Sequence, residues 1–185
     1  MDSPDKKLKI KIDQVKVIIF DFDGVFTNNK VYFSQDGNES VCCSRSDGLA
    51  IKLLRNYIRQ HNLPIDLFIL STEENPVVQA RAQKLSLDYF FGVNDKLKLV
   101  KDKYHLSSDS GACGFIFLGN DINDLALLRF VEVGICPSDA HPLVKSYAKV
   151  VYPNKGGEDF VRNFVEDLLG IKNLPLHQLL TLLDH

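Results

Sequence analysis

Short apolar runs alternate with segments of helical periodicity along most of the 185-residue chain. Residues 15–20 (VKVIIF), 65–70 (IDLFIL) and 114–118 (GFIFL) are rich in β-branched and aromatic side chains, which is typical of strands buried on both faces of a sheet. The remaining pattern predicts strands near 89–91, 131–135 and 149–151, and helices over 47–61, from about 76, from about 96, over 123–130 and over 158–169.

Strands and helices in this alternation predict βαβ units. We therefore expect an α/β fold with a doubly wound, mainly parallel sheet, formed by residues 1–185 as a single domain. Asp47 is a candidate cap for the first helix. Ligands in such folds bind beyond the carboxyl ends of the strands, so functional residues are expected there.

Two segments stand outside the alternation. Residues 28–45 predict a projecting β-hairpin, because two β-rich runs flank Asp36-Gly37, a strong turn dipeptide. The hairpin leaves the end of the first strand, where it can cover the functional edge, pair with another subunit, or pack on its own domain. Near the end of the chain, leucines recur with helical spacing over about 171–185 and predict an amphipathic tail helix.

The amino-acid composition and charge of the chain argue against several classes of function. The formal net charge of −2 provides no broad basic surface for nucleic acid or an anionic membrane. No stretch approaches the roughly 18 apolar residues of a membrane span, and residues 1–14 lack the apolar segment of a secretory signal. The four cysteines form no CxxC pair, so reduced thiols are expected rather than disulfides or zinc. These features predict a cytoplasmic protein without nucleic-acid or membrane partners.

Polar side chains cluster where the predicted strands end. Asp21 and Asp23 follow the first strand, and two carboxylates so close together repel unless a cation holds them. The other strand ends supply hydroxyl, cationic and further acidic groups: Ser71, Thr72, Lys96, Asn120, Asp121 and Asp124. An acidic turn in solvent would explain the first pair alone, but the whole set predicts a site for chemistry.

In order and spacing these groups resemble the four motifs of haloacid dehalogenase phosphatases. DFDGVFT (21–27) resembles the first motif, Ser71 the second, Lys96 the third and GNDIND (119–124) the fourth. The resemblance extends from about residue 15 to 151 and implies the Rossmann-like fold of that superfamily.

The same resemblance implies an aspartyl-phosphate mechanism. Asp21 would attack phosphorus, while Asp23 would protonate the leaving alkoxide and then activate water. Ser71 would hydrogen-bond the phosphoryl group, and Lys96 would supply positive charge to the transition state. Mg²⁺ is the implied cofactor; its expected ligands are the Asp21 carboxylate, the Asp23 backbone carbonyl and Asn120, with Asp121 and Asp124 nearby.

The fourth motif departs from the family pattern, because Asn120 stands where an aspartate is usual. An amide oxygen can bind magnesium, but with one negative charge fewer, so weaker metal binding is expected. Asp121 is a candidate to compensate, and Asp124 to orient metal-bound water and Lys96. The departure keeps open a second class of function: an inactive regulatory or oligomerisation module that partners a sugar-acid cytidylyltransferase.

The intervals between the motifs are too short for a cap domain, since only about two dozen residues separate Ser71 from Lys96. The chain most resembles the capless phosphatases of 3-deoxy-sugar-acid biosynthesis, which the following segments carry: YFSQDGNE, RSDGLAIKLL, GNDINDL, SDAHPLV and KGGEDFVR. Hairpins of that subgroup assemble into tetramers in which a neighbouring subunit helps to close each site. The resemblance thus implies a homotetramer through the 28–45 hairpin.

Glu73 stands where octulosonate 8-phosphate phosphatases usually carry an arginine. Together with Arg81 and Lys84 it resembles the branch that acts on 9-phosphates of nonulosonates, the sialic-acid-like sugar acids. Arg81 and Lys84 are three apart on one predicted helix and can face a sugar carboxylate together; an ordinary charged helix surface is the alternative. The expected substrate is a nonulosonate 9-phosphate, with octulosonate 8-phosphate as the alternative.

Three further residues are candidates for substrate contacts: Thr27, Arg45 and Thr72. Thr27 can instead finish the loop, and Arg45 can form a structural ion pair.

Overall fold

The computed structural model describes residues 8–107 and 111–183. Its central layer is a six-stranded parallel sheet with the order β5-β4-β1-β6-β7-β8. These strands are β1 (Val17–Phe20), β4 (Asp66–Leu70), β5 (Asp88–Phe90), β6 (Ala112–Leu118), β7 (Val131–Cys136) and β8 (Val150–Val151). The first strand of the chain therefore lies in the middle of the sheet, as a doubly wound fold requires.

Helices cover both faces of this sheet. They are α1 (Arg45–Gln60), α2 (Val77–Leu85), α3 (Lys96–Tyr104), α4 (Leu125–Phe130), α5 (Pro142–Tyr147), α6 (Phe160–Leu169) and α7 (Leu176–Leu183). Alternate residues of β1 point to opposite faces: Ile18 and Phe20 join the core under α1, α2, α6 and α7, whereas Val17 and Ile19 join the core under α3, α4 and α5. This arrangement confirms the predicted fold class.

The predicted hairpin is present as β2 (Thr27–Phe33) paired antiparallel with β3 (Glu39–Cys43). Gly37 occupies the left-handed region at φ +79° in the turn, a conformation that glycine adopts readily. Tyr32 and Phe33 are 64% and 69% exposed. The described residues contain no additional domain that could act as a cap.

Several predicted boundaries are wrong in detail. α1 begins at Arg45 because the hydroxyl of Ser44 accepts the Ser46 N–H and caps the helix, so Asp47 is not the cap. The fourth motif forms a 3-10 turn over Ile122–Asp124 before α4, and the bounds of α5 were not predicted.

Some predictions fall partly outside the described residues. The charged N-terminal segment is described only from residue 8, and the tail helix only to Leu183.

All four cysteines are free, with Cys42 and Cys113 exposed. Across residues 8–107 and 111–183, none of the helices combines the length and apolar character needed to cross a bilayer.

Candidate active site

The loop after β1 carries the first two acids of the site. The Asp21 N–H donates to the Leu118 carbonyl at 2.8 Å, which ties the loop to β6. The Phe22 carbonyl accepts the N–H groups of Val25, Phe26 and Thr27, so the chain turns tightly and buries its apolar side chains. The turn leaves Asp21 buried and Asp23 half-buried at the carboxyl edge of the sheet.

A buried group of three charges forms the centre of the site. Lys96 Nζ lies 2.6 Å from Asp21 Oδ1 and 2.7 Å from Asp124 Oδ1, and all three residues are almost inaccessible to solvent. The side chain of Asp95 caps α3 by accepting the Lys98 N–H, so that helix begins at Lys96 and fixes its position. The structure thus joins the predicted first, third and fourth motifs.

Two carboxylates share one ammonium group in this cluster. Burial and the nearby charge of Asp124 raise the pKa of Asp21 well above its ordinary range, although Lys96 opposes the shift. Burial also disfavours the charged form of Lys96, but the two carboxylates outweigh it and raise the pKa of Lys96. With both carboxylates ionised the cluster carries a net negative charge, so a further cation would favour the ionised form of Asp21.

Asp124 also shapes the fourth-motif loop. Its Oδ2 accepts the N–H of Asn120 at 2.8 Å and that of Asp121 at 3.2 Å. Asp121 turns outward: its own Oδ1 accepts the Ile122 N–H at 2.7 Å, and the residue is exposed. The structure does not bring Asp121 into the cluster, because its side chain caps the 3-10 turn.

The Asn120 side chain lies beside the first two acids. One polar atom of its carboxamide is 2.7 Å from the Asp23 backbone carbonyl oxygen and 3.1 Å from Asp21 Oδ2. Within the described residues, no three His, Cys, Asp or Glu side chains form a metal-binding group. A carboxylate, a backbone carbonyl and an amide nevertheless converge here, and such hard oxygen ligands suit Mg²⁺. The residues present fit this cation.

Two hydroxyl groups support the loops around the cluster. Ser71 is 1% exposed, and its Oγ accepts the Glu73 N–H at 3.1 Å, which leaves the hydroxyl proton available. Thr27 is fully buried; its Oγ1 accepts the Gly24 N–H at 3.2 Å and donates to Asp23 Oδ1 at 3.4 Å. Thr27 thus closes the loop and orients Asp23.

Acidic neighbours surround Asp23. Burial and the charges of Glu73 and Glu39 raise its pKa to about 6, against the lowering effect of the Thr27 hydroxyl. Glu39 lies on β3, where its carboxylate accepts a hydrogen bond from Asn75 Nδ2 at 2.9 Å. Sequence analysis missed Glu39. No sequence pattern signals this residue, because Glu39 lies next to the hairpin turn, opposite Phe33, and only the path of the hairpin brings its charge near Asp23.

The other predicted substrate-binding residues lie farther out. Arg45, Glu73 and Lys84 are exposed, and the Thr72 hydroxyl accepts from Asn123 Nδ2 at 3.2 Å. The Arg81 guanidinium donates to the Ser44 carbonyl at 2.8 Å, so part of this side chain holds the junction between the hairpin and α1.

A distant loop packs against the catalytic loop. A Cβ at Gly156 would overlap the Gly24 carbonyl, and the Gly157 N–H donates to the Val25 carbonyl at 3.0 Å. Asp139 Oδ1 in turn accepts the Gly156 N–H at 3.0 Å. Gly156 and Gly157 therefore form a packed support for the loop that carries Asp21 and Asp23.

A doubly wound sheet with a buried Asp–Lys–Asp group at its carboxyl edge has the character of an enzyme active site, since such a group is costly to bury. No protein-family model matches the chain. A HAD family hydrolase from Streptomyces avermitilis matches with 31% identity and a TM-score of 0.77, covering 89% of this chain and 97% of that one. The chain therefore belongs to the haloacid dehalogenase (HAD) superfamily of hydrolases.

Two further relatives place it near the capless phosphatases of that superfamily. The 3-deoxy-D-manno-octulosonate 8-phosphate phosphatase KdsC of Yersinia pestis is 26% identical over 84% of this chain and 80% of that protein. The octulosonate 8-phosphate phosphatase of Moraxella catarrhalis, solved with magnesium, phosphate and 3-deoxy-D-manno-octulosonate (KDO), has a TM-score of 0.74 at 22% identity, covering 84% and 86% of the two chains.

Proposed function

We propose that the chain is a magnesium-dependent phosphomonoesterase that acts on a phosphorylated 3-deoxy sugar acid through an aspartyl-phosphate on Asp21. The observation that carries this proposal is the buried contact of Lys96 with both Asp21 and Asp124. Burying three charges is costly, and a scaffold has no physical need for them. A site that stabilises phosphoryl charge does need them.

The chain's own groups can perform both steps of the reaction. The Asp21 carboxylate attacks phosphorus and the ester P–O bond breaks, while Asp23 gives its proton to the leaving alkoxide. Water then attacks the phosphorus of the aspartyl-phosphate, gives its proton to Asp23, and releases inorganic phosphate with Asp21 restored. Ser71 and Lys96 hold the phosphoryl oxygens throughout.

Magnesium is the proposed cofactor. Asp21 Oδ2, the Asp23 carbonyl and the Asn120 side chain would hold it, and the magnesium-bound Moraxella relative supports the choice. When bound, the ion neutralises phosphoryl charge. Asp124 would keep Lys96 in position, whereas the exposed Asp121 would contribute little.

Two sugar acids compete as the natural substrate. The named curated relatives act on octulosonate 8-phosphate. Glu73 instead favours a nonulosonate 9-phosphate, since an acid beside Asp23 can accept hydrogen bonds from sugar hydroxyls. In either case Thr72 would line the approach to phosphorus, while the buried Thr27 would orient Asp23 rather than contact the substrate. Arg45, Arg81 and Lys84 are the cations proposed for the sugar carboxylate.

A homotetramer through the hairpin is part of the proposal. The exposed apolar residues of β2 lie directly beyond the catalytic loop: Val31, Tyr32 and Phe33. A neighbouring subunit would cover them and complete a site that has no cap of its own. Free cysteines fit a reducing cytoplasm. The phosphatase relatives weigh against the alternative of an inactive module for a cytidylyltransferase.

Phosphate release from a nonulosonate 9-phosphate, octulosonate 8-phosphate and a hexose phosphate, with Mg²⁺ and with chelator, tests the proposal. We expect magnesium-dependent turnover of a sugar-acid phosphate, and loss by several orders of magnitude in Asp21→Asn. Asp121→Asn makes the same chemical change outside the cluster and should retain most activity. Folded wild-type protein that releases no phosphate from any of these compounds would instead favour the regulatory module.

A further inference from the structure

The Asn120 carboxamide has two orientations with opposite chemical consequences. With Nδ2 facing inward, it donates to the Asp23 carbonyl at 2.7 Å and to Asp21 Oδ2 at 3.1 Å, and both acceptors are satisfied. With Oδ1 facing inward, three oxygen atoms meet at these short distances. Such a group of oxygens repels itself unless a cation lies among them.

The backbone of Asn120 is fixed while its side chain retains this choice. Its N–H donates to Asp124 Oδ2 at 2.8 Å, and its carbonyl accepts the His141 N–H at 2.9 Å. Space for the side chain comes from Gly24, where a Cβ would overlap the carboxamide. The terminal torsion of asparagine is broad and roughly two-fold, and the two amide orientations have nearly the same shape, so both fit beside Gly24 with the loop in one conformation.

An aspartate at this position has no such choice. Either carboxylate oxygen would face the Asp23 carbonyl and Asp21 Oδ2 with no proton to donate. The aspartate form therefore depends on a cation for stability, whereas the amide supplies its own internal donor.

We infer that Asn120 is a two-position ligand, which closes the site with its Nδ2 when no cation is bound and turns to present Oδ1 when one enters. The inference rests on the proposed function only for the choice of cation. It implies that the two hydrogen bonds of the inward amide compete with metal binding. The protein would thus be stable without the ion and would bind it weakly.

Calorimetric titration with Mg²⁺ alone, and thermal unfolding in chelator, test the inference without any substrate. Asn120→Asp should bind Mg²⁺ at least about tenfold more tightly, since ligand charge sets affinity, and should unfold at a lower temperature in chelator. Asn123→Asp is the matched control: it adds the same charge three residues away, on an exposed side chain, and should change neither quantity appreciably.

Equal Mg²⁺ affinity of wild type and Asn120→Asp, or an unchanged unfolding temperature in chelator, would overturn the inference. Asn120→Ala covers the case in which the aspartate variant does not fold. The alanine lacks both donor and ligand, so it should lose stability in chelator and also lose Mg²⁺ affinity. An alanine variant as stable as wild type would equally overturn the inference. None of these measurements depends on turnover. A failure of the phosphatase proposal can therefore be told apart from a failure of this inference about Asn120.

Discussion

The two halves of the site are built differently. The groups assigned to phosphoryl chemistry are buried and joined to one another, as in the contacts of Lys96 with Asp21 and Asp124. The groups assigned to sugar recognition lie on the rim, where Arg45, Glu73 and Lys84 are exposed. Between them lies Arg81, which is half-buried and bonded to backbone.

A single chain fixes the positions of the buried groups but does not determine how the exposed groups are used. The sheet edge and the buried cluster hold the chemical groups within hydrogen-bonding distance. The exposed rim has room for a sugar, or for a neighbouring subunit, to determine which side chains are used. Related chains can therefore share the chemistry while they differ in substrate.

The largest expected effect comes from removing the shared cation. Lys96→Met would leave Asp21 and Asp124 facing each other in a buried site, and breaking a buried pair costs about 3 to 5 kcal/mol. We expect this variant to lose most of its stability and its activity together. Denaturant unfolding at pH 7.5 measures the first quantity.

Lys98→Met is the matched control for this experiment. Lys98 lies two residues along the same helix, in an exposed pair with Asp102, so its free energy of unfolding should hardly change. Similar losses in the two variants would contradict the idea that burial makes the contacts of Lys96 important for stability.

The next-largest expected effect concerns Asp47, a buried acid in the first turn of α1. Asp47 Oδ1 accepts the Arg162 N–H at 2.9 Å, while Oδ2 has no hydrogen-bonding partner among the described residues. Burial raises the pKa of Asp47 from 3.8 to about 6. The folded state therefore prefers the protonated acid, and the ionised form reduces stability as pH rises through this interval.

The free energy of unfolding of Asp47→Asn relative to that of wild type should rise between about pH 4 and pH 6 and stay level at higher pH. One pKa unit corresponds to about 1.4 kcal/mol, so the gain is at most about 3 kcal/mol. The asparagine can still accept the Arg162 N–H through its Oδ1. Chemical unfolding of both proteins across this range measures the difference, and the values near pH 4 serve as the internal reference. A difference that stays constant with pH would contradict a raised pKa.

The smallest expected effect distinguishes the roles of Arg81 and Lys84, the two basic residues of α2. Arg81→Gln removes a charged donor to the Ser44 carbonyl, worth about 1 kcal/mol at a half-buried site, and should loosen the base of the hairpin. Hydrogen exchange of residues 39–44 should increase in this variant. Lys84→Gln should leave that exchange unchanged and alter only KM. Equal exchange in both variants would show that Arg81 does not support the hairpin.

Much of the fold was predictable because buried strands carry continuous apolar runs. Residues 15–20, 65–70 and 114–118 gave strands close to β1, β4 and β6. The bounds of α5 were not predicted, because six residues give too short a helical period to delimit. The cap of α1 was misplaced because Ser44 and Asp47 are both good capping residues, and only the contact of Asp47 with Arg162 distinguishes them.

The candidate site likewise has a part that could be predicted from the sequence and a part that could not. Charged residues that directly follow apolar strand segments are easy to recognise in a sequence. The structure brings three of them together, Asp21, Lys96 and Asp124. The outward turn of Asp121 and the approach of Glu39 to Asp23 depend on local capping and on the path of the hairpin. Residue type and spacing carry no information about either.

The packing of Gly156 and Gly157 against the nucleophile loop has a consequence for how the protein is made. Asp21 and Asp23 are synthesised well before the backbone that supports their loop, which follows more than a hundred residues later. β1 also waits for β6, since Val17 pairs with Phe115, and such distant pairings form slowly. A nascent chain therefore carries Asp21 long before its loop is supported, and the loop can take its final shape only after residue 157 has emerged.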